Sequence, residues 1–418
     1  MHNQTQTIKP FKVAGNLHAP ASKSAMQRIC AAALIAKGET TILNAGISND
    51  DKAALEIIQN LGATLQHIGS KIIVQSNGVL PITKTIHCGE SGLSIRMFTP
   101  IIALHNTLVN ITGSGSLQNR PLDFFTTYLP QLNVQVVSNN NFLPLQITGP
   151  LQPQNIKVNG SQSSQYITGL LMAYAYCNKT INFTVNNLAS KPYINITLNT
   201  LAQFGFNITH KNFEVFSINA VAEIANKRTV TVEGDWSSAS FHFVAAAING
   251  QLNISGLDAQ SPQADKAILE VLKLAGLQVN FNNNIYQISK GLINSFNFDA
   301  TDCPDLFPPI VALASYAKGT SIITGTNRLT HKESNRALTL QQEFGKLGVQ
   351  ITLTQNQMHI HGLGTLNGGE VSSHNDHRIA MAAAVVAAKA NSPITITGSD
   401  AVNKSYPNFW DDLRSITN

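Results

Sequence analysis

Charge is what this chain has least of. Only 12% of its 418 residues are Asp, Glu, Lys or Arg, about half the usual share of a globular protein, and Asn, Gln, Ser and Thr supply the polar surface instead. The net charge of +5 is not gathered into any Lys/Arg block, which excludes a nucleic-acid stripe or a basic membrane-binding patch. The four cysteines, Cys30, Cys88, Cys177 and Cys303, lie far apart without C-x-x-C spacing, so neither a disulfide framework nor a zinc site is expected. Long apolar runs are missing too. The stretch from Ile379 to Ala390 is too short to span a bilayer and reads as a buried core helix. The opening MHNQTQTIKPFKV has no apolar secretory core, so a cytoplasmic location is expected.

With 43% hydrophobic residues the chain is not disordered, and its length exceeds what one core usually supports, so two domains are expected. A β-branched strand, a polar loop and an amphipathic helix recur at roughly 70-residue intervals. The six copies begin at Thr40, Leu108, Ile181, Leu252, Ser321 and Ile394, the last cut short by the C-terminus. In four of them the helix stops at a glycine, Gly62, Gly205, Gly276 or Gly348, where a left-handed residue is wanted, and a strand follows at once.

Each repeat also has a second helix, rich in Ala, Ile, Leu and Met and suited to packing on all sides. These begin near Ser22, Glu90, Ser163, Ser237, Pro304 and Asn375, with Ser, Asp or Asn at or near every start as an N-cap. Asp235 and Asp376 are both readable as caps, and for Asp376 the cap reading is preferred. Helix starts offer unpaired N–H groups and a partial positive charge, so several converging starts form an anion trap.

The scarce charges gather at these starts and at the strand-to-helix loops. Lys23, Ser24 and Arg28 open the first core helix, Arg96 lies one turn into the second, and Ser163, Ser164 and Gln165 open the third. Asp305 opens the fifth, and His377 with Arg378 the sixth. The loops add Arg120, the SKPY run from Ser190 to Tyr193, Lys332, Glu333, Arg336 and Lys404. Arg forks suit carboxylate and phosphate, and Lys supplies a compact charge and a proton. His377 beside an arginine reads as an orienting residue more readily than as a catalytic one.

The successive motifs ASKSAMQR, CGESGLSIR, NRP, SQSSQY, ASKPY, EGDWSSAS, CPDLFP, KESNR, NDHR and KSYP, in this order from Ser22 to Pro407, resemble those of the enolpyruvylshikimate phosphate synthases. The resemblance implies an α/β fold, a two-domain inside-out α/β barrel with three repeats per domain, buried helices and outer sheets. Residues 1–20 and 234–418 would form one domain and 21–233 the other, with hinge crossings near 20 and 233. It implies transfer of the enolpyruvyl group of phosphoenolpyruvate to the 5-hydroxyl of shikimate 3-phosphate, without metal or organic cofactor, by a cytoplasmic monomer that binds neither nucleic acid nor membrane.

Carried over residue by residue, shikimate 3-phosphate falls to Lys23, Ser24, Arg28, Ser163, Ser164, Gln165, Ser190, Tyr193, Asp305 and Lys332. Phosphoenolpyruvate falls to Lys23, Gly92, Arg120, Gln165, Arg336, Arg378 and Lys404. Asp305 is the expected proton acceptor and Glu333 the donor, with Lys23 bridging the substrates, though which of the three moves which proton stays open. The chain departs from the family pattern at Glu90 and Leu93, where Asn and Thr are usual. Glu90 beside the anion pocket is expected to repel phosphoenolpyruvate, and both changes are expected to weaken its competitor glyphosate at Gly92. Two rivals are weighed: the sister UDP-N-acetylglucosamine enolpyruvyl transferase, whose reactive loop cysteine has no counterpart here, and an anion-binding homologue without catalysis.

Overall fold

The structure, a computed structural model, describes residues 4–330 and 332–418, leaving His331 of the fifth repeat outside the described residues. The chain divides into two compact units. The terminal unit is Met1–Pro20 with Glu233–Asn418, and the central unit is Ala21–Val232.

Each unit is assembled from three sheets that enclose apolar helices. In the central unit these are the helices Lys23–Ile35, Gly92–Ile102 and Ser164–Cys177. In the terminal unit they are Trp236–Asn249, Phe307–Ala314 and His377–Val386. Their side chains are buried nearly all round, as a composition without a polar face dictates. The surrounding strands alternate instead: along Ile181–Asn186 the side chains of Phe183 and Val185 are buried and their neighbours are not. A two-residue period of this kind puts one face of a sheet on the core and the other in water.

One plan recurs in five four-stranded sheets. A short edge strand such as Thr85–His87 runs parallel to the strand that opens the repeat, here Val109–Thr112, and in three of the five sheets the core helix makes the crossover between them. On the other side of the opening strand lies an antiparallel hairpin, here Gln135–Asn139 and Phe142–Thr148. The sixth sheet has three strands, Ile394–Thr397 pairing with Gly369–Ser372 and with Thr5–Ile8 from the start of the chain.

Two edge strands exchange places. Asn16–His18 precedes the helix of the first repeat yet pairs with Gln251–Ser255 of the fourth, while Lys227–Thr231 precedes the helix of the fourth yet pairs with Gly38–Leu43 of the first. Both passages of the chain between units therefore fall directly after an edge strand and before a core helix.

The helix punctuation follows local chemistry. Gly62, Gly205, Gly276 and Gly348 have φ of +96°, +88°, +85° and +92°, and in the second repeat Asn133 at +64° takes that role. Side chains of Ser22, Ser91, Ser163, Asp235 and Asp376 accept from the first free N–H groups of five core helices. The fifth core helix breaks the rule: a 3₁₀ turn, Pro304–Leu306, leads into it and no side chain caps it. Asp305, expected there as a cap, is drawn instead to nearby cations.

Pro100 lies inside the helix Gly92–Ile102 and has no N–H to give the carbonyl of Arg96, four residues back. The third core helix crosses at that carbonyl through Gly169, where an added Cβ would come 2.6 Å from the Arg96 oxygen and 2.9 Å from that of Met97. Neither backbone has room to yield. Gly169→Ala is expected to destabilise the central unit by about 1 to 3 kcal/mol through overpacking, despite the better helix propensity of alanine. Urea denaturation of the two proteins checks this, and an equally stable variant would mean that the crossing is looser than its geometry.

Candidate active site

In the central unit the first core helix presents Lys23, whose Nζ donates to Asp50 Oδ2 at 3.0 Å. Asp50 stands in the first turn of the amphipathic helix Asn49–Asn60. Arg28, one turn further along, has no exposure. Its Nε donates to Thr197 Oγ1 at 2.9 Å, and its Nη atoms donate to the carbonyls of Ser24 (2.7 Å) and Tyr193 (3.4 Å). Arg28 thus fixes the SKS opening against the helix Lys191–Gln203.

Ser190, immediately before that helix, is left-handed at φ +55°, and its buried hydroxyl does not cap the helix. A non-glycine residue held in this region is a sign of a constrained site. Ser163 caps the third core helix, Ser164 is buried beside it, and Gln165 Oε1 accepts from Arg96 Nη1 at 2.8 Å. The Arg96 guanidinium also lies 5.3 Å from the centre of the Tyr166 ring. Arg120 donates to Ser116 at 3.1 Å. Both guanidiniums lie over Gly92, where a Cβ would stand 2.5 Å from Nη1 of Arg120 and 3.1 Å from Nη1 of Arg96. The Glu90 carboxylate lies directly against Gly115 of the neighbouring loop. Leu93 is packed in the hydrophobic core.

In the terminal unit the centre is Arg336, 1% exposed. Its Nε and Nη2 donate to the two Asp376 oxygens at 2.8 and 3.2 Å, its Nη1 to Asp305 Oδ1 at 2.7 Å, and its Nη2 also to Glu333 at 2.5 Å. Asp305 further receives Lys332 Nζ at 3.2 Å and Arg378 Nη2 at 3.1 Å. Arg378 donates as well to the Ser237 hydroxyl, and Lys404 Nζ to the carbonyl of Asn375 at 2.7 Å. His377 is buried beside Asp376, its Nδ1 4.0 Å from the carboxylate.

These pairings set the electrostatics. Burial alone would raise the Asp305 carboxyl, but Arg378, Lys332 and Arg336 outweigh it and hold it well below the usual carboxylate range. Lys332 moves down, because burial and the positive Arg336 outweigh its carboxylate partners. Arg336 is raised: Asp376, Glu333 and Asp305 overcome the penalty of burying it. Burial pushes the Cys88 thiol up to about 12, which leaves it inert as a nucleophile near neutral pH.

The residues expected from sequence thus fall into two clusters, each within its own unit. Lys23, Ser24, Arg28, Gly92, Arg120, Ser163, Ser164, Gln165, Ser190 and Tyr193 belong to the central unit, and Asp305, Lys332, Glu333, Arg336, Arg378 and Lys404 to the terminal one. One reading is corrected. Asp376 is more than a cap: besides accepting from the Arg378 N–H at 3.0 Å it binds Arg336 with both oxygens, because a fully buried carboxylate needs a full counter-charge. Sequence reasoning also missed Asp50 and Ser237. Asp50 had a signal in the S-x-x-D capping box from Ser48, which marks the helix start that carries it.

A family model described as EPSP synthase (3-phosphoshikimate 1-carboxyvinyltransferase) matches residues 8–413. The 3-phosphoshikimate 1-carboxyvinyltransferase of Clostridium kluyveri is 32% identical over 412 residues, 98% of this chain and 96% of that one. The enzyme of the same name from Clostridium perfringens is 35% identical over 415 residues, 98% and 97% of the two chains. The solved EPSP synthase of Acinetobacter baumannii matches with a TM-score of 0.84 at 23% identity, over 99% of this chain and 98% of its own. It shares the fold, the two-domain inside-out α/β barrel.

Next to Lys23 and Asp50, the buried Asp51 is pushed up from 3.8 to about 7. Burial is the main cause, opposed by hydrogen bonds from Ser48, and the Asp50 charge adds to it. Its Oδ1 has no hydrogen-bond partner among the described residues. The folded protein therefore keeps a proton that the unfolded chain has already lost, so this group lowers stability as pH rises from about 4 to about 7. In Asp51→Asn that loss is absent. Denaturation at about pH 4.5 and about pH 7.5 should show the stability of the variant, relative to wild type, rising between the two; a constant difference would mean that Asp51 ionises normally.

Proposed function

The chain belongs to the EPSP synthase family, and we propose on that premise that its two clusters bind phosphoenolpyruvate and shikimate 3-phosphate and transfer the enolpyruvyl group to the 5-hydroxyl. The observation that carries the reading is the gathering of Lys332, Arg336 and Arg378 around one carboxylate, Asp305. Two substrates that each bear a phosphate and a carboxylate need fixed cations of this kind. On this reading Lys23, Ser24, Arg28, Ser163, Ser164, Gln165, Ser190, Tyr193, Asp305 and Lys332 serve shikimate 3-phosphate. Lys23, Gly92, Arg120, Gln165, Arg336, Arg378 and Lys404 serve phosphoenolpyruvate. The same reading takes the protein as a cytoplasmic monomer.

The reaction adds the 5-hydroxyl oxygen to C2 of phosphoenolpyruvate as C3 gains a proton, then expels phosphate as C3 gives a proton back. Asp305 takes the hydroxyl proton and Glu333 supplies the proton to C3, with Lys23 between the substrates. A carboxylate tied to three cations is a poor base, so the substrate anions also prepare the catalyst. By drawing Lys332, Arg336 and Arg378 onto themselves they release Asp305 to accept a proton. The burial of Cys88 argues against the sister reaction on UDP-N-acetylglucosamine, with its reactive loop cysteine.

Glu333→Gln and Asp305→Asn should each lower kcat at least about a hundredfold, while binding of both substrates, followed by titration, persists. Near-normal turnover in either variant would remove that residue from proton transfer.

Glu90 bears on affinity. It lies against Gly115 in the loop whose Ser116 accepts from Arg120, so its charge opposes an anion over Gly92. Leu93, packed in the core, has no such route, and a threonine there would bury a hydroxyl. Glu90→Asn alone should therefore lower both the KM for phosphoenolpyruvate and the glyphosate inhibition constant. Two unchanged constants would clear Glu90 of any part in anion binding over Gly92.

A further inference from the structure

The terminal-unit cations given above to phosphoenolpyruvate stand on three separate elements: Arg336 at the start of the helix Arg336–Lys346, Arg378 at the start of the core helix His377–Val386, and Lys404 at the end of the 3₁₀ turn Ser399–Lys404. The segment 372–376 joins them. The Asn375 carbonyl accepts from Lys404 Nζ, and the Asp376 carboxylate grips Arg336 while capping the helix that carries Arg378. This segment has an uncommon backbone. His374 and Asn375 are consecutive non-glycine residues at φ +50° and +57°, a conformation that persists only where surrounding contacts impose it.

Ser373 holds one side of the segment, its N–H donating to the Thr397 carbonyl at 3.0 Å and its hydroxyl to that of Gly398 at 2.8 Å, and Glu343 holds the other from the same helix that begins with Arg336. It is 1% exposed, and its Oε2 accepts the backbone N–H of Ser372 at 2.8 Å while its Oε1 lies 2.8 Å from the His374 ring Nε2. Lys346 also donates to Oε2, at 2.7 Å, but its side chain is 43% exposed and stands three residues along the same helix, so it balances the Glu343 charge without holding the loop. The contacts that matter run to the loop. Burial works against ionisation of Glu343, yet Lys346, His374 and the Ser372 N–H hold it below the usual carboxylate range.

We infer that Glu343 is a positioning residue: by clamping segment 372–376 to the helix of Arg336, it fixes Arg336, Arg378 and Lys404 relative to one another without touching substrate. The inference rests on the assignment of those three cations to phosphoenolpyruvate. Glu343→Ala releases the segment from the helix of Arg336 while the Ser373 bonds to Thr397 and Gly398 remain, so the two helix starts and the Asn375 carbonyl lose their common register. A misplacement of about 1 Å at a binding constellation costs up to roughly a hundredfold.

The test is the KM for each substrate in wild type, Glu343→Ala, Glu343→Gln, Lys346→Ala and Arg378→Ala. Glu343→Ala should raise the KM for phosphoenolpyruvate roughly ten- to a hundredfold and leave that for shikimate 3-phosphate nearly unchanged. Glu343→Gln should recover most of the loss, since its amide still accepts from Ser372 and offers an N–H to the His374 ring. Lys346→Ala should behave as wild type. Should Glu343→Ala fail to fold, His374→Ala takes its place, with a smaller rise confined to phosphoenolpyruvate. Equal rises for both substrates, or an unchanged KM for phosphoenolpyruvate, overturn the inference when Arg378→Ala raises that constant. If Arg378→Ala leaves it unchanged, the cation assignment itself falls, and this inference with it.

Discussion

Arg336 is the constraint around which the terminal cluster is arranged. A guanidinium with 1% exposure bears a large desolvation penalty, and only close counter-charges offset it. Three carboxylates do so, Asp305 from a 3₁₀ turn, Glu333 from a loop and Asp376 from a helix cap. Such burial is a weak source of stability compared with an apolar replacement. What it provides is order: three elements are locked around one planar fork, and Lys332 and Arg378 share the Asp305 carboxylate. A cluster built this way holds its cations and carboxylates at fixed positions.

The central cluster follows a different logic. Arg28 donates to hydroxyl and carbonyl oxygens, and Arg96 to an amide oxygen while lying over the face of an aromatic ring. With Ser190 held left-handed, Arg120 over Gly92 and Lys23 held by Asp50, this unit mixes neutral acceptors with a carboxylate, whereas the terminal unit ties its cations to the carboxylates of Asp305, Glu333 and Asp376.

Much of the fold was legible in the sequence, because the repeated strand, loop and helix each carry a local periodicity, and because helix ends announce themselves through Ser, Asp and Gly. Gly348 and Ser163 behave as their residue types dictate. What escaped depends on partners distant in the chain. Three-residue edge strands such as Thr85–His87 are too short for any period, and the exchange that pairs Asn16–His18 with the fourth repeat is set by where the chain passes between units. Among site residues, Lys23, Arg28, Arg336 and Arg378 stood out because charges are scarce and sit at helix starts. The double role of Asp376, the hold of Asp50 on Lys23 and the clamp formed by Glu343 were hidden, since a capping signal says nothing of which buried cation a carboxylate will meet.

The central claim is that these paired clusters constitute an enolpyruvyl transferase for shikimate 3-phosphate. Release of inorganic phosphate from phosphoenolpyruvate by the purified protein, with shikimate 3-phosphate or with UDP-N-acetylglucosamine as acceptor, tests it most directly. The account predicts turnover with the first acceptor and none with the second; no phosphate release with shikimate 3-phosphate, or release only with the nucleotide sugar, would contradict it.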